Sequence, residues 1–154
     1  MDSLIMLLEE MDKILQEISP MKVKIKQKDL IKFHEITGVP EAQINQSSES
    51  IVTPTYFLTL LAPLGTKLML KILEHQNLPK ISGFIHSKSE VNFFKPIQYG
   101  AYEVWSRVET LQKKQGKMGN YIVLTFRMSL MNEKEEEVGN DIHQFFLRLP
   151  EEAD

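Results

Sequence analysis

Thr53-Pro54-Thr55-Tyr56-Phe57-Leu58-Thr59-Leu60-Leu61-Ala62-Pro63-Leu64-Gly65-Thr66-Lys67-Leu68-Met69-Leu70-Lys71-Ile72-Leu73-Glu74-His75 is the most apolar stretch of the chain. Wound as a helix it is apolar on nearly every side, the pattern of a segment buried in a core or at a subunit interface. Proline inside a helix removes an amide donor and crowds the preceding turn. Pro63, with Gly65 behind it, therefore predicts a short helix, a break, and then an almost wholly buried helix over Thr66–Glu74.

After residue 80 the period of apolar residues changes from helical to two. Four strands are expected, at about Phe84–Phe94, Ala101–Gln112, Tyr121–Asn132 and Val138–Leu149. Turn residues sit at Pro96–Gly100, Gly116–Gly119 and Asn132–Glu137. Short turns between successive long strands predict antiparallel hairpins, so the four strands are expected to form a meander. Trp105 reads as a packing residue within the second of them.

On the other side of the apolar stretch, residues 39–53 are polar and read as a loop. Before them, Asp29–Gly38 predicts a short helix with Asp29 as N-cap, Leu30, Phe33 and Ile36 on one face, and Gly38 as its stop. Met21-Lys22-Val23-Lys24-Ile25-Lys26 alternates strictly and predicts a half-buried strand whose lysines protect an edge. Leu4, Leu7, Leu8, Met11, Ile14, Leu15 and Ile18 recur at helical spacing, with Pro20 as the stop, and predict an amphipathic helix packed on its own domain or on a partner subunit. The expected layout is an α+β fold, with an N-terminal helix over 1–20 and one domain over 21–150 whose antiparallel sheet wraps a buried central helix.

Composition limits what such a domain does. The 154 residues are 42% apolar and 25% charged, ordinary for a globular domain that needs no staple. No cysteine is present, which removes disulfides, Cys-ligated zinc and thiol catalysis. The net charge of −3, without any long Lys/Arg run, gives no case for nucleic acid. The short apolar run Leu4–Leu8 is preceded by Asp2 and followed by Glu9, Glu10 and Asp12, unlike a signal peptide, and falls far short of the ~20 residues of a membrane span. A cytoplasmic location and no membrane span are the resulting expectations.

Several segments resemble the MaoC-like hydratases and dehydratases, which have the hot-dog fold. Lys28–Gly38 (KDLIKFHEITG) resembles the family's opening helix ending in Ser/Thr-Gly. Val52–Leu60 (VTPTYFLTL) resembles the Pro-Pro-Thr-Phe segment of its N-terminal-type dehydratase domain. His86 stands where that subfamily often has a strand-opening His, and Val91–Gly100 (VNFFKPIQYG) resembles its Arg-Pro-Ile turn. Together these span roughly residues 21–149. The resemblance implies an acyl-CoA or acyl-carrier-protein thioester as ligand, and a homodimer or a heterodimer with a catalytic hot-dog subunit.

One departure from the family bears on chemistry. Catalytic members follow Ser/Thr-Gly with Asp-x-Asn-Pro-x-His, whose Asp and His handle the proton in adding or removing water. Here that register places Val39 and Ile44, neither of which carries a proton. In the later turn the family's Gly-Asp becomes Gly100-Ala101. The resemblance thus implies no catalytic residues of the family kind, and a substrate-shaping subunit of an (R)-specific enoyl-thioester hydratase or 3-hydroxyacyl-thioester dehydratase. The alternatives are a homodimeric acyl-thioester binding protein without chemistry, and a hot-dog thioesterase with Glu74 as its carboxylate.

Tyr56, Phe57, His86 and Phe94 are the expected substrate-binding residues. His86 alternates with Ile85 and so is placed on one face with Lys88 and Glu90. Among the other histidines, His34 lies on the short helix, His75 ends the apolar segment, and His143 shares the last strand with Asp141. No histidine pair has helical metal-ligand spacing, so neither a metal nor a cofactor is expected. Glu41 is the nearest carboxylate to the missing Asp, and reads as loop solvation.

Overall fold

The structure is a computed structural model and describes residues 3–38, 52–76, 80–117 and 119–150. Helix α1 (Ser3–Ile18) leads into strand β1 (Met21–Ile25), helix α2 (Gln27–Thr37) and the long helix α3 (Pro54–Glu74). Strands β2 (Gly83–Phe93), β3 (Gly100–Gly116), β4 (Gly119–Met131) and β5 (Glu137–Arg148) complete the domain. One five-stranded sheet in the order β1-β3-β4-β5-β2 packs its inner face on α3. Every pairing is antiparallel. This is the hot-dog architecture.

The strand boundaries follow the alternation closely, but the meander does not extend to β2. β3, β4 and β5 pair in succession, whereas β2 skips β3 and pairs with β5 at the far edge. Residues 94–99 cross between the two. Six extended residues reach about 20 Å, and three strand spacings need about 14 Å, so a link that reads as a hairpin turn is also long enough to cross the sheet's end. The link is pinned there: Phe94 N and Lys95 N both donate to Val138 O, and Ile97 is buried.

Nor does α3 break at Pro63. It is one continuous helix, begun by Thr53, whose Oγ1 accepts from Tyr56 N, with Pro54 in the first turn where its missing amide costs little. Pro63 faces outward, while Leu60, Leu61, Leu64, Leu68 and Ile72 are buried under the sheet. Burial of that row outweighs the lost hydrogen bond, as tertiary packing commonly overrides propensity. The 66–74 part is not wholly buried: Leu70 and Leu73 are 52% and 54% exposed. By length and hydropathy alone α3 would suit a membrane span, and here it is the core helix of the sheet.

Three smaller expectations change. In α2 the inner face carries Leu30 and His34, and Ile36 points out, 75% exposed. The N-cap position is Lys26 and makes no side-chain cap, so Asp29 serves in the first turn, where a carboxylate favours the helix dipole. Gly38 ends the helix in the left-handed region, φ 72°, where glycine is unstrained. Trp105 is 47% exposed on the outer face of β3 because its neighbour Val104 takes the inner one; its Nε1 donates to Glu103 Oε2 at 3.3 Å.

Candidate functional site

The two flanks of α3 are unlike. Toward β3 it is covered by α1, whose Leu7, Met11, Ile14, Leu15 and Ile18 join the core. Toward β5 and β2 no other described helix covers it, and a cavity of about 620 Å³ opens between helix and sheet. Leu58, Leu61, Ala62, Gly65, Thr66, Met69 and Leu70 form the helix wall; Phe84, His86, Ser89, Phe126, Met128, Asp141, His143 and Phe145 form the sheet wall. Gly65 faces β4, where an added Cβ would lie in ordinary contact, 3.4 Å from the Met128 side chain.

A bulge in β2 decides which residues reach this groove. His86 pairs with Phe145 and Lys88 with Gln144, leaving Ser87 as the extra residue. One inserted residue reverses the parity of the strand beyond it. His86 therefore shares the inner face with Ser89 and Val91, while Lys88 and Glu90 turn outward and pair with each other at 2.8 Å. The expected grouping of His86 with Lys88 and Glu90 is overturned by that single residue, whose Oγ donates to Gln144 O.

Across the inner face His86 meets two residues of β5. His86 Nε2 lies 3.1 Å from His143 Nδ1 and 2.9 Å from Lys88 O. His143 Nε2 lies 2.8 Å from Asp141 Oδ2, an ion pair when the ring is protonated, and that oxygen has no hydrogen-bond partner. Asp141 is 1% exposed, and its Oδ1 accepts from Ser89 Oγ at 2.6 Å. Aromatic rings hold the two imidazoles in place. His86 stacks on Phe145 with centroids 4.7 Å apart, and His143 on Phe126 at 5.3 Å. The result is a polar row, Ser89–Asp141–His143–His86, set in an apolar groove.

Of the four expected binding residues, His86 alone lines the groove. Tyr56 and Phe57 are buried in the core near the start of α3, and Phe57 packs edge-on against Phe93 at 4.9 Å. Burial pushes the Tyr56 phenol above its ordinary value, with the Asp29 charge adding to the effect. Phe94 is 55% exposed just past the end of β2. Val39, Glu41 and Ile44 lie outside the described residues. Glu74 is exposed at the end of α3, in a depression with Lys71, His75 and Gln76 that is separate from the groove. His75 Nε2 lies 3.5 Å from Glu10 Oε2, and His34 is buried with neither ring nitrogen hydrogen-bonded.

Asp141 and His143 were not among the expected site residues. The signal for them is the spacing Asp141-Ile142-His143, which in a strand puts both polar side chains on one face. Among the described residues no group of three or more His, Asp or Glu is arranged to hold a metal ion.

No protein-family model matches this sequence, and no curated protein matches it. Solved structures do share the architecture. A chain of the ChsH1-ChsH2 complex from Mycobacterium tuberculosis is similar with a TM-score of 0.59 at 10% identity, over 94% of this chain and 94% of that one. A monoamine oxidase regulatory protein from Archaeoglobus fulgius gives 0.61 at 14% identity, over 86% and 88%. A chain of the HadBC (3R-hydroxyacyl-ACP dehydratase) complex from Mycobacterium tuberculosis gives 0.52 at 17% identity, over 84% and 96%. At these identities the likeness is one of fold.

Proposed function

We propose that this chain is the substrate-shaping, non-catalytic subunit of an (R)-specific enoyl-thioester hydratase or 3-hydroxyacyl-thioester dehydratase, binding a CoA or carrier-protein thioester beside a second hot-dog subunit. The observation that carries the reading is the apolar groove along α3, open on the side of the unpaired β2 edge. Such a groove suits a hydrocarbon chain, because apolar walls gain about 25 cal/mol for each Å² taken from water. The same side leaves Phe84, Ile85, Leu70 and Leu73 exposed, surface that a partner subunit would cover. Val39 and Ile44 stand where the resembled family keeps its Asp and His, so addition of water is assigned to the partner.

His86 is assigned to the ligand side of the groove. Tyr56 and Phe57 act from behind, holding the start of α3, and Phe94 lies where β2 ends, on the rim a partner would meet. The test begins with the pure chain. It should bind decanoyl-CoA, measured calorimetrically, and leave the enoyl-thioester absorbance of 2-decenoyl-CoA unchanged. Turnover should appear once the hot-dog subunit that co-purifies from the native host is added. Rapid hydration by the pure chain would overturn the assignment.

A further inference from the structure

We propose that the groove takes a long-chain primary amine in its protonated form, and that Asp141 Oδ2 receives the ammonium hydrogens. The proposal goes beyond the acyl-thioester reading and does not depend on it.

The polar row holds one acid and no fixed cation. Asp141 is 1% exposed, and its Oδ1 accepts from the Ser89 hydroxyl at 2.6 Å. Its Oδ2 is buried without a hydrogen-bond partner. Buried carboxylates are ordinarily paired, and leaving one of their oxygens unsatisfied costs more than leaving a neutral acceptor so. Among the described residues no Lys or Arg lines the groove. Lys88 is turned to the outer face by the Ser87 bulge and pairs there with Glu90. His143, 2.8 Å away, balances Asp141 only while its ring is protonated. With that ring neutral, the carboxylate borders an apolar groove and nothing offsets its charge.

The neighbouring atoms call for the same kind of ligand. Lys88 O only accepts, so a neutral His86 turns its Nε2 hydrogen toward it, 2.9 Å away, and keeps a lone pair on Nδ1. His86 therefore adds an acceptor to the row. Leu58, Leu61, Met69, Phe84 and Phe145 give the rest of the groove an apolar wall that suits an alkyl chain. A fatty acid would set one carboxylate against another. An alcohol would bring a single neutral donor, and a quaternary ammonium would bring charge without a hydrogen to give. A primary ammonium brings charge and three N–H donors on a slim end.

Calorimetry on the intact chain tests this with octylamine, octan-1-ol, octyltrimethylammonium and octanoate. It is done at about pH 8, where a free alkylamine is charged and free imidazole is neutral. Octylamine should bind about 10- to 100-fold tighter than octanol, the span of a hydrogen bond to a charged group, and about 10-fold tighter than octyltrimethylammonium. Octanoate should bind weakest. Asp141→Asn keeps an oxygen for Ser89 and removes the charge, and should erase the preference for octylamine over octanol. Thr66→Lys, at an exposed position of the helix wall, places a resident ammonium in the groove and should weaken octylamine about 10-fold; Thr66→Met, of similar reach, should leave it within about 2-fold. Circular dichroism establishes that each variant is folded, and the Thr66 pair decides the question if the Asp141 variant is not. Equal affinity for octylamine and octanol, or for octylamine and octyltrimethylammonium, would overturn the proposal. So would a preference unchanged in Asp141→Asn. Binding of decanoyl-CoA without octylamine would sink the amine proposal and leave the acyl-thioester reading standing, and the reverse result would do the opposite.

Discussion

The two flanks of α3 carry similar side chains and meet opposite fates. On the β3 side, Leu64 and Leu68 share a core with Met11, Ile14 and Ile18 of α1. On the β2 side, Leu58, Leu70 and Phe84 line a groove, and Leu73 and Ile85 face outward. Hydrophobicity does not distinguish the two flanks. What differs is whether another described helix covers them. The groove on the open side suits a second molecule, whether ligand or subunit, while the covered side supports the fold.

If that division is right, the largest effect of mutation lies on the covered flank. Ile14→Ala, in a side chain 1% exposed, should cost about 2–5 kcal/mol in urea unfolding, through lost transfer energy and the cavity left behind. A loss below about 1 kcal/mol would show that α1 is an ornament on the domain. The next test works at the root of the open flank. A Cβ on Gly139 would lie 3.0 Å from Asn92 O and 3.2 Å from the Phe57 ring, so Gly139→Ala should cost roughly 1–3 kcal/mol by forcing β2 away from β5. Faster amide exchange confined to β2 and its partner positions in β5 would place the damage there. The smallest effect on stability belongs to the outward residues. Ile85→Lys with Leu73→Asp should change unfolding energy by less than about 0.5 kcal/mol per site, yet abolish the proposed pairing with a second hot-dog subunit, read by light scattering. Loss of fold in that double variant would erase the distinction between flanks.

Much of the fold was legible because periodicity reports which side of an element is buried. The Lys22 and Lys24 alternation, the α1 stripe and the long strands all come from that signal. The departures occur where long-range pairing decides. Nothing local tells residues 94–99 whether to turn or to cross, and Pro63 reads as a break until the burial of Leu60, Leu61 and Leu64 is counted. The candidate site was half legible for the same reason. His86 was found by resemblance, but its face was set by one unpaired residue, Ser87. Asp141 and His143 had the right spacing in sequence, and their meaning depended on β2 lying beside β5.

The β2 crossover also fixes an order of events in biosynthesis. A chain made from its N-terminus delivers β2 well before β5, and the partner positions of β2 run from Gly139 to Arg148. Until they emerge, Phe84, Ile85 and Phe93 have no strand beside them, and nascent strands of this kind invite wrong pairing with other chains. Lys88 and Glu90 sit in the middle of the exposed strand, where charges discourage such pairing. The outer wall of the groove is thus the last part of the sheet to be completed, and a chain truncated before β5 would carry that wall as a sticky ribbon.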